Sequence, residues 1–517
     1  MTDTETKPRR SAGRSGGRAA RHAMRAAALA DDVKPIWPGM PGGTYKPLKD
    51  SDLPKIHAAA LRVLDEIGLA DAPPSGIKAM TAAGARLGKD GRLRFPAKVI
   101  EAALAMTSPT LTLYARDPAH DLHLGGTKVH YGTAGAAVHL VDGRTGAYRD
   151  STVQDLYDAA RIVDTLDNVH FLQRPMVCRD ITDNYALDIN TIYACVRGTC
   201  KHIGASYVHA DHVRKSAQML HLIAGGEAEW RARPFVSQSN CFVVPPMKFA
   251  TESCEAMEAA IEIGMPVLLL SAGQAGATAP VTIAGAVVQG VAECLAGLVY
   301  VNAVKPGHPV IFGTWPFVSD LRTGAMSGGS GEQALLTAAC AQMHHFYGIP
   351  GGAAAGIADS KLPDMQAGWE QAISNTMAGL AGLNMVYEAV GMHASLLGFC
   401  FESLILGDDL LGQAQRCVRG IEVDESTLAF EAMSNVCLGG PGHYLGTDET
   451  LHRMERDYVY PRLADRSSPN QFAEKGSPNL VEQAALRKED ILSQPDKGLI
   501  PAQVDAQIRA AYPIALP

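Results

Sequence analysis

The chain has 517 residues, 47% hydrophobic and 19% charged, with a formal net charge of −8. That is ordinary globular composition with length for a large core, and it lacks the basic excess of a nucleic-acid binder. Ten cysteines are scattered without a C-x-x-C pair, which implies neither a disulfide framework nor a zinc knuckle and points to a reducing cytoplasm.

The chain opens on "KPRRSAGRSGGRAARHAMRAAA", rich in Arg, Gly and Ala. No apolar run follows the paired arginines, so neither a secretory nor a twin-arginine signal is expected; residues 1–45 read as a disordered basic tail. Residues 51–67 read as an amphipathic helix. Ile56, Ala60, Leu64 and Ile67 recur at helical spacing, Ser51 and Asp52 cap the start, and Gly68 ends it. Residues 95–106 suggest a second helix, and "LTLYARD" and "DLHLGG" suggest strands. Residues 46–127 are therefore expected to form an N-terminal helical and antiparallel addition.

From residue 128 a rhythm begins. Short apolar runs at 129–135, 168–177, 202–208, 235–244, 266–273, 309–316, 349–358 and 384–392 start 31 to 43 residues apart. Between and after them lie helical patterns at 152–164, 184–197, 211–224, 249–263, 281–303, 331–346, 366–382 and 398–415. Eight strands alternating with eight helices predict an α/β fold, a (β/α)₈ TIM barrel over 128–416. An open doubly wound sheet is the second reading. The segment 281–304 is apolar enough to span a bilayer, but Gln289, Glu293 and Asn302 favour a buried helix and no membrane role. "SAGQAGATA" (271–279) is expected to leave strand five at the C-terminal mouth, its small residues leaving room for a bulky partner. Residues 417–517 change to polar-faced helices, read as a C-terminal helical cover.

Several stretches resemble one family: "LPKIHAAALRVLDEIGL" (53–69), "DGRTGAYRDSTVQDL" (142–156), "GATAPVTIAGAVVQGVAECLAG" (276–297), "KPGHPVIFGT" (305–314), "ADSKLPDMQAGWE" (358–370) and "GGPGHYLGTDETL" (439–451). Together they are similar to the trimethylamine methyltransferase family. The resemblance implies a cytoplasmic barrel enzyme that passes a methyl group from a methylated amine to the cobalt of a corrinoid (cobalamin-type) cofactor carried by a partner protein. It also implies a homo-oligomer. Archaeal trimethylamine enzymes of the family carry pyrrolysine; this chain is similar to the branch without it, whose members use quaternary amines such as glycine betaine. A quaternary nitrogen leaves as a neutral amine and needs no proton, so the protein's task reduces to orientation and desolvation. The cofactor supplies the nucleophile.

A methylammonium cation wants aromatic faces and a carboxylate. Tyr131, Phe171, Tyr207, Trp315, Phe317 and Tyr387 fall near predicted strand ends, with core packing as the plain alternative. Glu388, inside an apolar run, needs a cation or a structural partner. Asp359 and Lys361 follow strand seven, either as site residues or as loop bonds with Asp364. Gln173 and Arg174 end strand two, and Arg174 is suited to fork a substrate carboxylate. His393 follows strand eight. Gly276 and Ala277 are expected to face the corrinoid.

No catalytic residue stands out and no protein-bound metal is expected. "GSGEQA" (329–334) is a weak dinucleotide match, though its helix start offers an anion site. His344 beside His345, and His443 with His452, lack metal spacing. The alternatives are a trimethylamine-specific enzyme, a barrel lyase or hydrolase, and a non-catalytic betaine binder.

Overall fold

The computed structural model describes residues 34–517; residues 1–33 of the expected basic tail lie outside the described residues. Eight strands form the centre: β1 Lys128–Tyr131, β2 Phe171–Gln173, β3 His202–Ala205, β4 Val236–Cys241, β5 Val267–Ser271, β6 Val310–Thr314, β7 Gly351–Ala354 and β8 Met385–Tyr387. Each pairs in parallel with the next from β2 to β8, and β8 pairs in parallel with β1. A parallel bridge from Gly132 to Phe171 joins β1 to β2. The sheet is therefore closed, and the open-sheet reading falls away. Met40–Pro41 adds an antiparallel strand against β1, so the end of the expected tail is built into the barrel wall.

The helices that follow the strands are α1 Val153–Val163, α2 Asn184–Gly198, α3 Ala210–Ala224, α4 Thr251–Glu262, α5 Ile283–Val304, α6 Gly331–Tyr347, α7 Met365–Ala381 and α8 Phe401–Arg419. Four of their starts carry side-chain caps: Thr152 with Asp155 as a capping box, then Asp183, Ser330 and Asp364. Helix α5 is long and apolar enough to cross a bilayer, yet most of it is buried. Leu53–Arg62, Pro74–Ala82 and Ala97–Met106 of the N-terminal addition pack on its outer side. Pro74–Ala82 escapes the sequence reading because its nine residues include Pro, Gly and Ser at the start.

Helix α7 is unusual for an outer helix. Its single charged residue, Glu370, is buried and accepts hydrogen bonds from the Asp359 and Ser360 amides at 2.8 and 3.2 Å. Met365, Trp369 and Ile373 are exposed at four-residue spacing.

Beyond α8, Val423–Val459 belongs to a second compact unit containing Phe430–Cys437 and Asp448–Arg456. Residues 460–517 belong to the barrel unit. They run as a strap along its outer wall: Arg144 meets Glu482 and Glu489, Lys488 meets buried Glu402, Lys497 meets Asp164, and Tyr512 bonds the Lys215 carbonyl. The expected single cover over 417–517 is thus divided between two units.

Candidate active site

In a parallel barrel, side chains on neighbouring strands share a face at paired positions. Ser271 Oγ bonds Glu293 of α5, Thr314 Oγ1 bonds His344 of α6 at 2.6 Å, and the Tyr131 hydroxyl bonds the Asn375 carbonyl of α7 at 3.2 Å. These residues therefore face the helices. The intervening register faces the lumen: His130 and Gly132, Phe171 and Gln173, His202 and Gly204, Ser237, Ser239 and Cys241, Leu268 and Leu270, Ile311 and Gly313, Gly352 and Ala354, Met385 and Tyr387.

Small residues beside large ones make the lumen's shape. A Cβ on Gly132 would lie 2.4 Å from the Phe171 ring, and one on Gly352 would lie 2.5 Å from Tyr387. A Cβ on Gly204 would lie 1.5 Å from Gln173 Oε1. The glycines let three rings meet across intervening strands. Phe171 and Tyr387 have centroids 5.2 Å apart, and Tyr387 and Trp315 are 4.9 Å apart. All three are buried, and Trp315 Nε1 has no hydrogen-bond partner.

Glu388 follows Tyr387 with a φ of 60°, the left-handed region that a side-chain-bearing residue adopts at a cost. This turn breaks the alternation that would send its side chain outward. It is 1% exposed, its Oε2 has no partner, and burial pushes its carboxyl up to about 8. Its charge acts on lumen-facing Cys241, whose thiol rises to about 11, chiefly by desolvation and then by Glu388. Cys241 is nonetheless exposed. An accessible but poorly solvated thiol lines a concavity, so the lumen opens outward at β4.

Arg174 is half-buried, and burial lowers its pKa. Its Nη2 reaches Ser206 Oγ at 3.5 Å, and Nε has no partner. Ser206 in turn donates to the carbonyl of lumen-facing Ser239. The guanidinium thus bends over the end of β3, and no carboxylate among the described residues lies within ion-pair distance of it.

Other expected site residues sit elsewhere. Tyr131 packs towards α7, one residue off the lumen register. Tyr207 bonds Ser216 of α3 at 2.8 Å. Phe317 belongs to a short strand, Phe317–Val318, paired with Gln274–Ala275 on the rim. Asp359 accepts from Ser327 Oγ, the Gly328 amide and Ser395 Oγ at 2.7, 2.8 and 2.6 Å, so it ties three loops together. Lys361 is exposed and bonds the Asp359 carbonyl at 2.8 Å. His393 is fully buried between the Ser360 carbonyl and Ser403 Oγ, at 3.3 and 2.6 Å, leaving no ring nitrogen for a ligand. Gly276 and Ala277 are exposed on the rim after β5. The lumen therefore gathers Phe171, Gln173, Trp315, Tyr387 and Glu388 from the expected residues, with Arg174 at its edge, and adds Cys241 and Ser206. Cys241 and Ser206 had one legible signal, their place at strand ends.

The family description "Trimethylamine methyltransferase (MTTB)" matches residues 14–513. A trimethylamine methyltransferase, MttB, of Methanosarcina thermophila is 30% identical over 86% of this chain and 92% of its own length. A glycine betaine methyltransferase of Desulfitobacterium hafniense is 28% identical over 90% of this chain and 96% of its own. The crystal structure of Methanosarcina barkeri monomethylamine methyltransferase (MtmB) superposes with a TM-score of 0.49 at 13% identity, covering 91% of this chain and 92% of that one.

Proposed function

We infer the function from one premise: the chain belongs to the trimethylamine methyltransferase family, and it is a methyltransferase. We propose that its donor is a quaternary methylamine carrying a carboxylate, of the glycine betaine type, and its acceptor a corrinoid held by a partner protein. The observation that carries this reading is the wall of Phe171, Tyr387 and Trp315 beside buried Glu388, whose Oε2 has no partner. Aromatic faces attract a permanent cation, more strongly when water is excluded, and a buried carboxylate needs a cation to stay ionised. In this reading Arg174, whose Nε has no partner, takes the donor's carboxylate as a fork.

The residues also fit an acceptor that docks from outside. Cys241 is reached from solvent within the lumen, and the exposed rim at 276–278 carries nothing larger than Thr278. The bound corrinoid supplies the nucleophile that takes the methyl group. The chain orients the ammonium and strips its water; the amine departs neutral, so no side chain must deliver a proton. We further propose a homo-oligomer, because Met365, Trp369 and Ile373 leave an uncharged apolar stripe on α7.

The test is anaerobic incubation with reduced corrinoid, free or on candidate carrier proteins, and a panel of glycine betaine, carnitine, proline betaine, choline and trimethylamine. Methyl transfer from a carboxylated quaternary amine is expected. Transfer from trimethylamine alone would favour the family's other named activity. Consumption of substrate without corrinoid would indicate a lyase or hydrolase, and affinity without turnover a binder.

A further inference from the structure

At the opposite end of the barrel, Asp117, His120 and Cys200 bring a carboxylate oxygen, an imidazole nitrogen and a thiol sulfur within 4.8 Å of one another. Two local structures create this meeting. Pro118–His120 forms one 3-10 turn capped by Asp117, whose side chain accepts from the Ala119 amide at 3.0 Å. That turn sets Asp117 and His120 on one side, three residues apart. Cys200 lies two residues before β3, and its carbonyl accepts from the Arg116 and Asp117 amides at 2.9 and 3.4 Å. The backbone therefore fixes the two segments together before any side chain takes part.

The neighbouring charges are already engaged. Arg116 turns away to the Leu499 and Thr199 carbonyls, both at 2.9 Å, and Lys201 Nζ is locked on the Val163, Leu166 and Val169 carbonyls. The Cys200 amide and thiol both donate to Asp164 Oδ1, at 2.9 and 3.4 Å, so a metal at the sulfur would replace the proton that the thiol now gives to Asp164. The His120 ring makes no hydrogen bond among the described residues.

We propose that Asp117, His120 and Cys200 bind a zinc ion. One sulfur, one nitrogen and one oxygen suit zinc, a borderline-soft cation that accepts all three, with a fourth position left for water. Zinc–ligand bonds of about 2.0–2.3 Å require the three atoms to close by roughly 1 Å, a side-chain adjustment. The ion would clasp the N-terminal addition to the start of β3. It lies on the face of the barrel associated with stability, away from the mouth.

The test uses the full-length protein, freed of metal by a chelator and titrated with Co²⁺ as a spectroscopic stand-in for zinc. One equivalent should give a near-ultraviolet thiolate-to-cobalt band and the intense visible bands of four-coordinate cobalt. Zinc should displace both. Cys200→Ser should abolish the thiolate band, and His120→Ala should weaken cobalt binding roughly 100-fold. Cys241→Ser should leave the spectrum intact, which separates this site from the exposed thiol of the lumen. Zinc should also raise Tm in the wild type and not in Cys200→Ser. Absence of a thiolate band in the wild type, or its survival in Cys200→Ser, overturns the proposal.

Discussion

Trp315 and Tyr387 have ring centroids 4.9 Å apart and planes tilted 42°, although β7 lies between the segments that carry them. The contact exists because β7 turns Gly352 and Ala354 to the lumen there. The indole is thus a face held in position by its neighbours. Trp315→Ala is expected to raise the Kd of a quaternary amine about 5- to 30-fold, from a cation–π loss of about 1–2 kcal/mol. Trp315→Phe should lose less. Calorimetric titration checks both, and unchanged affinity in Trp315→Ala would remove the ring from the site.

Glu388 sets a pH dependence. Its carboxyl stays protonated in the empty site up to about pH 8, whereas a permanent cation prefers it ionised. Binding of a quaternary amine should therefore release a proton and weaken about tenfold per pH unit below about 8. Glu388→Gln should bind weakly with no such slope. Titrations in two buffers of different ionisation enthalpy measure the released proton directly.

The same group affects stability with the opposite sense. Its folded pKa lies above its unfolded value of 4.5, so its contribution is complete below pH 4.5 and fades as pH rises towards 8. Denaturation midpoints of the ligand-free enzyme should fall across that window more steeply than those of Glu388→Gln.

Acid acts through the histidines. Burial lowers His130, His202, His308 and His393 to about 4 and His344 to about 3. Unfolded histidines bind protons below about 6.5, so each folded one loses stability as pH falls from 6.5 towards its folded value. His202 bonds the Tyr114 carbonyl and Ser237 Oγ at 2.7 and 3.0 Å. His202→Gln should therefore be less stable at pH 7.5 yet decline less between pH 6.5 and 5 in urea denaturation.

Gly352→Ala tests the lumen's volume. The added carbon would meet Tyr387 Cε2 at 2.5 Å and Met385 Cβ at 3.2 Å. Overpacking of this kind costs about 1–3 kcal/mol, and the displaced ring should also weaken substrate binding. On the rim, Ala277→Trp should block methyl transfer while leaving donor affinity unchanged. Position 277 is the cleaner choice, since Gly276 has a φ of 90° and resists any side chain.

The eight strands were legible because each is a short apolar run bounded by turn residues. Their facing was not. The segment at 129–135 is buried on both sides, so nothing in it distinguishes lumen-facing His130 from helix-facing Tyr131. Glu388 defeats alternation differently, since one left-handed residue redirects its side chain. Asp359 and His393 follow predicted strands seven and eight, but their hydrogen-bond partners lie in other segments, which spacing along the chain does not reveal. Asp117 and Cys200 are far apart along the chain, and the backbone bonds from the Arg116 and Asp117 amides to the Cys200 carbonyl, which no motif announces, bring them together.

The left-handed backbone at Glu388 has a consequence for anyone improving the protein. A non-glycine residue there stores about 1–3 kcal/mol, and its buried carboxyl adds to the burden. A library screened for heat resistance alone would enrich glycine at position 388, with gains in yield and melting temperature that look like progress. The winners would have lost the carboxyl that ionises when the cation arrives, so such a campaign needs a ligand-binding step in every round.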